Sequence, residues 1–573
     1  PPAAMASTSR IERLLGGKLA SDLSEYDQSE AYDVVARLTA FALEVLGGKM
    51  VYDIEELGRR KARRAARSDN TGRVEKNIYY WEPKSLRITA INWWHVLSAE
   101  YIPYLYKLAI LMVLSLIAYQ LSSGSVLVAR AGVLSLVHDY ILLEAIGMAA
   151  LIMWYFGHMK ASVYCLENSV FVPPEEWRVT KEELITMMKS QGCFTDESLD
   201  FMTRVLQRSG TGDSTAWPPS MVPSKDGTTK ARTDIQSARD EAREVIFPLV
   251  RDVLERSNVK PEQIDFLIIN CSLFAPTPSL CAMVCNEFCL REDVRSYNLG
   301  GMGCSANGIS VDLAKQLLQN QPGTRALVIS TENLTQNLYT GNHKGMLLQN
   351  TLFRCGGCAI LLSSRWTDSV RAKYKLLYTF RAQVSEDNSY NCVHQGLDDD
   401  GKIGVSLSKD IVNVAGRAMK RNFIQLGPYV LPLREQIKVL MNRIHIKLTT
   451  WAKRQGLPLA KQLSVPAGYT PNFSKGIDHF CIHAGGRAVI EGVQNNLGLT
   501  DAQVKPSMQT LHDFGNTSSS SIWYEMDWVE RHGRLQRGDR VLQIAFGSGF
   551  KCNSAVWVAL RVDRTKRGVP LKE

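Results

Sequence analysis

No secretory signal is read at the start of the 573 residues, where none is expected, and the twelve cysteines show no regular pairing spacing. Both absences argue against a disulfide framework and predict reduced thiols facing the cytosol. Cys281, Cys285 and Cys289 fall at helical spacing, but no histidine stands near them. A metal site is therefore not expected there, and a cysteine-rich helix face is. Charge is missing altogether from Leu108 to Ala129, a length close to the roughly 20 apolar residues that span a bilayer. A second apolar run covers Val133 to Phe156, interrupted by Asp139 and Glu144, and ends in Trp154, Tyr155 and Phe156. Aromatics in that position suit a membrane interface. With basic residues before the pair and His158 and Lys160 after it, a transmembrane hairpin with both ends cytosolic is expected. The other reading is a buried helical pair.

Charge is plentiful elsewhere. The net charge is +10, and Arg59, Arg60, Lys61, Arg63, Arg64 and Arg67 form one basic run. Such a run can meet nucleic acid or anionic lipid. A solvated arm is the expectation, and no nucleic-acid role, because that role would leave the rest of the chain unexplained. Met5 reads as the true start, with Pro1 to Ala4 a remnant of upstream sequence.

The chain divides by pattern into a polar, partly disordered extension (1–100), the membrane hairpin (101–160), a linker and cap segment (161–232) and two halves of a core (233–400 and 401–573). Helical patterning covers Thr180 to Arg208, a Pro/Gly/Ser-rich loop Ser209 to Arg232, and a long amphipathic helix Thr233 to about Arg256. Short apolar strands are read at Phe266–Asn270, Ala326–Ser330, Ala359–Leu362, Phe480–Ile482, Val541–Phe546 and Ala555–Leu560. Helices alternating with such strands predict an α/β core.

The core repeats itself. Asp265 to Asn270 and Asp478 to His483 have the same length, and Cys304 and Asn516 follow 34 and 33 residues after the ends of those segments. Each is followed by an apolar strand. A repeat on this scale predicts two related halves about a pseudo-twofold, with Cys304 and Asn516 at equivalent points.

Cys304 lies in Tyr297-Asn-Leu-Gly-Gly-Met-Gly-Cys-Ser-Ala306, ahead of an amphipathic run. This reads as a tight turn feeding a helix whose N-terminus favours the thiolate. His483 and Asn516 also sit in glycine-flanked turns. A Cys–His pair can supply a nucleophile, and His with Asn can hold a developing oxyanion or enolate. Hydrolysis through an acyl-cysteine and acyl transfer to carbon both fit. Backbone amides of Phe546-Gly547-Ser548-Gly549-Phe550 could serve the oxyanion as well. Ser518–Ser521 reads as close packing of small residues at a helix start.

Six segments resemble the plant-type 3-ketoacyl-CoA synthases, condensing enzymes of very-long-chain fatty acid elongation. They are Asn270-Cys-Ser-Leu-Phe-Ala-Pro-Thr-Pro-Ser279, Asn298-Leu-Gly-Gly-Met-Gly-Cys-Ser-Ala306, Gly404-Val-Ser-Leu-Ser-Lys-Asp410, Phe480-Cys-Ile-His-Ala-Gly-Gly-Arg-Ala-Val489, Phe514-Gly-Asn-Thr-Ser-Ser-Ser-Ser521 and Gln543-Ile-Ala-Phe-Gly-Ser-Gly-Phe-Lys-Cys-Asn-Ser554. The resemblance implies a thiolase-like, duplicated αβαβα fold with an N-terminal membrane hairpin at the endoplasmic reticulum and a cytosolic catalytic domain. It implies Cys304 as the nucleophile that takes the acyl group from a long-chain acyl-CoA. It implies His483 and Asn516 as the pair that promotes malonyl-CoA decarboxylation, and His479 and His512 as supporting histidines. The products would be 3-ketoacyl-CoA, CoA and carbon dioxide, with no metal or other cofactor. A homodimer is implied, working with the ketoacyl reductase, dehydratase and enoyl reductase of the elongase complex.

The chain departs from the pattern in places. Phe380-Arg-Ala-Gln-Val-Ser385 lacks the family's usual histidine, His394 replaces a tyrosine, and Asn307-Gly308 replaces glycine and an apolar residue. These put substrate range and rate in doubt, not reaction type. A soluble type III polyketide synthase would share the fold and the Cys–His–Asn set. A catalytically silent elongase subunit would not need that set intact.

Overall fold

A computed structural model describes residues 160–385, 387–455, 464, 467–532 and 534–562. The membrane hairpin, the basic run and the N-terminal extension lie outside the described residues. Among the described residues no helix is long and apolar enough to cross a membrane. The chain forms two compact units, one of 1–93 with 442–468 and the other of 94–441 with 469–573. The described residues of the first are helical through Arg454. Everything that follows concerns the second.

Its centre is a mixed sheet of nine strands among the described residues: β1 Val163–Val170, β2 Phe266–Asn270, β3 Arg295–Leu299, β4 Arg325–Thr331, β5 Gly357–Ser363, β6 Tyr374–Gln383, β7 His479–Ile482, β8 Arg540–Gly547 and β9 Lys551–Ala559. Their order is β7-β8-β9-β6-β1-β5-β4-β2-β3. The order is nearly a palindrome. β2 and β4 pair in parallel, as do β7 and β8. β4 and β5 pair antiparallel, as do β8 and β9. β1 and β6 then join the halves antiparallel. The internal repeat of the sequence is thus a repeat of topology, and β3 is an extra edge strand on the first half.

Strand alternation shows how the layers stack. In β2, Phe266 and Ile268 face one core and Leu267 and Ile269 another. In β8, Val541 and Ala545 join the same core as Phe266, while Leu542, Ile544 and Phe546 face a third. Each half of the sheet therefore has one face on a shared central layer and one on an outer layer, the αβαβα arrangement. Helix α1 (Lys181–Ser190) and helix α2 (Asp196–Arg208) belong to a separate, smaller core.

One outer layer includes α3 (Ile235–Ser257). It is capped by Asp234, whose carboxylate accepts from Ser237 N at 2.9 Å, and ends at Asn258 in the left-handed region. Ala238, Ala242, Val245 and Leu249 form its buried stripe, at helical spacing. A Cβ on Gly357 would lie 2.7 Å from Val245 Cγ1, so that glycine lets α3 sit close on β5. α4 (Leu280–Glu287) carries Cys281 and Cys285, and Cys289 lies beyond its end. The other outer layer is built from α7 (Ile411–Val430), α9 (Arg487–Leu497) and α10 (Asp501–Phe514); α6 (Lys344–Leu352) precedes them in the chain, and α8 (Leu433–Arg454) follows α7.

The central layer holds α5 (Ala306–Asn320) and α11 (Ser521–Arg531), the helices that leave the Cys304 and Asn516 turns. Every residue of α11 from Ser521 to Glu530 is buried. Polar groups there must satisfy one another, since no water reaches them. Asn270 Nδ2 donates to Ser310 Oγ (2.9 Å) and Ser330 Oγ (2.6 Å), and its Oδ1 accepts from Ser519 Oγ at 2.7 Å. Asn307 Nδ2 donates to Ser330 Oγ (2.8 Å), while its Oδ1 accepts from Trp523 Nε1 (2.9 Å). The Asn307 departure is thereby explained: it bridges the two elbow helices.

The strands read from sequence are present. Of the nine strands of this sheet three were not read: β1, in the stretch assigned to a linker and cap, and β3 and β6. β3 is an edge strand with Arg295 and Ser296 exposed, so it lacks an apolar signal. The helical patterning of Thr180–Arg208 is two helices, α1 and α2, separated at Gly192 with φ 70°. Asn307→Leu should remove the acceptor of Trp523 and cost about 1–3 kcal/mol. Denaturant unfolding of the purified protein checks this, and an unchanged midpoint would show the bridge to be dispensable.

Candidate active site

Strand ends and the two elbows converge on one cavity of about 770 Å³, lined by Cys304, His483 and Asn516 together with Gly547 and Gly549. Cys304 sits in a single turn, Gly303–Ser305, that runs directly into α5. The turn needs its glycine. Gly303 has φ 68°, and a Cβ there would lie 2.6 Å from Ser548 N. Gly303 N donates to Ser272 Oγ (2.9 Å) and Gly301 N to Ser272 O (3.1 Å). Gly547 allows the approach from the other side, where a Cβ would lie 2.4 Å from Ser305 Oγ. Its part in the site is thus first a packing one.

His483 follows β7 immediately. Its backbone N donates to Ile544 O at 2.9 Å, which extends the β7–β8 pairing by one residue. Nδ1 is 2.8 Å from Ser521 Oγ at the start of α11, and that hydroxyl also accepts from Ala484 N at 3.4 Å. When the Ser521 hydroxyl donates to Nδ1, the neutral ring carries its proton on Nε2 and is a donor there. Asn516 is held on four sides. Its Oδ1 accepts from Ser518 N (2.9 Å), Nδ2 donates to Gly485 O (3.2 Å), N donates to Leu352 O (3.2 Å), and O accepts from Arg354 N (2.9 Å). Nδ2 has a second hydrogen available for a ligand. Gly485 links the pair, since its N donates to His483 O at 2.8 Å.

Two predicted residues are elsewhere. His479 opens β7, at the opposite end of the strand from His483, and its Nε2 lies 2.8 Å from Asp539 Oδ2. His512 is exposed near the end of α10, with Nδ1 2.8 Å from Asp513 Oδ1, and its carbonyl accepts from Gly212 N at 2.7 Å. Neither lines the cavity. Both tie the framework that carries His483 and Asn516.

The family described as "FAE1/Type III polyketide synthase-like protein" matches residues 155–448, and "3-Oxoacyl-[acyl-carrier-protein (ACP)] synthase III C terminal" matches residues 472–559. The chain is 47% identical to "3-ketoacyl-CoA synthase 9" of Arabidopsis thaliana over 409 residues, 71% of this chain and 76% of that one. Identity to "3-ketoacyl-CoA synthase 17" of the same plant is also 47%, over 408 residues, 71% of this chain and 80% of that one. The chain belongs to the 3-ketoacyl-CoA synthase family. Among solved structures, a polyketide synthase of the brown alga Ectocarpus siliculosus superposes with a TM-score of 0.51 at 19% identity, covering 70% of this chain and all of that one. CsyB complexed with CoA-SH gives 0.53 at 19% identity, with the same coverage. These two likenesses support the thiolase-like fold.

Against this family background the electrostatics of the synthase site correct one expectation. Cys304 is partly exposed, to the cavity it lines, yet protein surrounds it. Burial pushes its thiol up to about 12. The Ser518 hydroxyl works against that shift, and the nearby Glu332 charge adds to it. The helix N-terminus therefore does not make a resting thiolate, because desolvation outweighs it. Burial also pushes His483 down to about 4. The resting pair is thiol and neutral imidazole.

Among the cavity residues that sequence reasoning missed are Glu332, Ser272 and Ser518. Ser518 had been assigned to helix packing. Its backbone has φ 57°, rare for serine, and no sequence pattern marks that. Gln383, at the end of β6, lines the cavity, as does His394. His483 takes up a proton on unfolding, so it stabilises the synthase above pH 6.5 and that contribution is lost as pH falls toward 4. Replacing it with Asn should flatten the loss of stability across pH 6.5 to 4 by up to about 3 kcal/mol. Unfolding midpoints over that range measure the effect. Parallel wild-type and variant curves would show His483 to be no source of acid sensitivity.

Proposed function

We propose that this protein condenses a long-chain acyl-CoA with malonyl-CoA, with Cys304, His483 and Asn516 as the reacting set. The observation that carries the reading is the meeting of these three residues, from two halves of a repeat, on one cavity. Cys304 takes the acyl group as a thioester. Malonyl-CoA then loses carbon dioxide, and its thioester oxygen becomes an enolate oxygen. His483 Nε2 and Asn516 Nδ2 donate to that oxygen, and preorganised donors are worth most where charge develops. The enolate carbon attacks the acyl-cysteine, and 3-ketoacyl-CoA leaves with Cys304 restored. A neutral His483 suits this role, since a donor to an enolate need not be charged. The reaction changes no oxidation state beyond the loss of carbon dioxide, so the reading invokes no redox cofactor or metal.

Apolar side chains on several elements, Phe201 and Val205 of α2, Leu348 and Leu352 of α6 and Ile411 of α7, line the same cavity. We place the acyl chain along them, where each buried methylene adds about 0.8 kcal/mol. Chain-length choice would then lie with these walls and the membrane-proximal segments. The uncharged run from Leu108 to Ala129 supports anchorage in the endoplasmic reticulum membrane with the catalytic unit in the cytosol. A homodimer passing product to a ketoacyl reductase, a dehydratase and an enoyl reductase completes the proposal.

Membranes containing the full-length protein, given labelled malonyl-CoA and a long acyl-CoA, should form labelled 3-ketoacyl-CoA. Cys304→Ala should abolish it, and Asn516→Ala should lower it about 100- to 1,000-fold. Undiminished condensation by Cys304→Ala would sink the reading, and an inactive wild type would favour a silent scaffold subunit.

A further inference from the structure

Behind Cys304 lies a carboxyl group that the condensation scheme above leaves idle. Glu332 follows β4, is 6% exposed and reaches the cavity. It touches no cation among its hydrogen-bond partners. Oε1 accepts from Leu273 N (2.9 Å) and from the Cys271 thiol (3.4 Å), and Oε2 accepts from Ser272 N (3.3 Å) and Ser518 Oγ (3.3 Å). A carboxylate kept in a dry interior on neutral donors alone is costly, and such groups mark sites where a proton is handled.

Ser518 connects it to the nucleophile. The turn that carries Ser518 packs against the Cys304 turn, and both residues line the cavity, where the Ser518 hydroxyl opposes the rise that burial gives the thiol. Ser518 is put there by a strained backbone: φ is 57°, fixed by the bond from Ser518 N to Asn516 Oδ1 at 2.9 Å. Left-handed strain at a non-glycine residue persists where surrounding contacts over-determine it, and it gathers at functional sites. The same loop that feeds Glu332 also holds the Cys304 turn, through Gly303 N to Ser272 Oγ at 2.9 Å. Thiol, hydroxyl and carboxylate thus meet on one cavity, with the hydroxyl bonded to the carboxylate.

We propose that Ser518 and Glu332 form a proton relay that serves Cys304 during acylation. The inference rests on the condensing-enzyme reading. As Cys304 Sγ bonds to the acyl carbonyl carbon, its proton passes to Ser518 Oγ, and the Ser518 proton passes to Glu332 Oε2. The carbon–sulfur bond to CoA then breaks, and the proton returns by the same route to the CoA sulfur. One S–C bond forms, one breaks, and the thiol proton ends on CoA, with no further reactant. In this relay Ser518 is the group that meets the reacting sulfur. Glu332 acts through Ser518, as a positioning residue that stores the proton. His483 is a poor store, since burial holds its imidazole in the neutral form. It remains free to serve the decarboxylation half of the cycle. The titratable groups facing Glu332 are Cys271 and Cys304, and burial holds both thiols protonated near neutrality.

The test separates the two half-reactions of the full-length protein. Acyl-enzyme formation is followed in a single turnover with acyl-CoA alone, and decarboxylation with malonyl-CoA alone. Glu332→Gln and Ser518→Gly should each slow acylation at least tenfold more than decarboxylation. General acid–base groups contribute about 100- to 10,000-fold. Wild-type acylation should show an acid limb in its pH profile that Glu332→Gln lacks and Glu332→Asp restores. Glycine suits φ 57°, so Ser518→Gly keeps the fold and the test even if Glu332→Gln does not fold. Equal losses in both half-reactions, or an acid limb that survives in Glu332→Gln, would overturn the relay. A wild type that never acquires an acyl group on Cys304 would instead overturn the reading on which the relay rests.

Discussion

The two halves of this synthase are locked together by a polar seam in a layer that water does not reach. Asn270, Ser310, Ser330, Asn307, Ser519 and Trp523 satisfy one another there, and every one of them is buried. Apolar packing alone would let α5 and α11 slide against each other, because it is not directional. Hydrogen bonds in a low-dielectric interior are directional, and expensive to leave unmade. Their geometry sets the register of one elbow on the other. The candidate site inherits that register, since Cys304 and Asn516 are the residues just ahead of the locked helices.

The same dryness governs the chemistry. It holds the Cys304 thiol and the His483 imidazole in their neutral forms, whereas a helix N-terminus in isolation would favour the thiolate. The thiol and the imidazole of such a site carry no charge at rest. On the proposed reading the site works by offering fixed donors where charge will form, and on the proposed relay by passing a proton through a hydroxyl to a carboxylate. Glycines at 303 and 547 let backbone approach backbone, so that those donors arrive without side chains in the way.

Much of this was legible in the sequence. The buried strands β2, β4, β5, β7 and β8 are continuous apolar runs, and the repeated spacing of Asn270–Cys304 and His483–Asn516 announced the two halves. What failed to show is equally instructive. β3 has one exposed edge and polar residues, so its pairing with β2 is a tertiary fact. Glu332 looks like any acidic residue after a strand, and only its neighbours make it unusual. Ser518 reads as one of four serines, because a left-handed φ is imposed by Asn516 and not by serine itself. His479 and His512 match family positions, yet the fold carries them to the edges of the framework, where Asp539 and Asp513 hold them.

The central claim is that Cys304, out of twelve cysteines, carries the acyl group. The most direct measurement is peptide mapping by mass spectrometry after the protein has been incubated with a long-chain acyl-CoA and no malonyl-CoA, then quenched in acid. The account predicts one acyl group per chain, in thioester linkage on Cys304, which disappears when malonyl-CoA is added before the quench. An acyl group on another cysteine, or a Cys304 adduct that malonyl-CoA does not discharge, would contradict it.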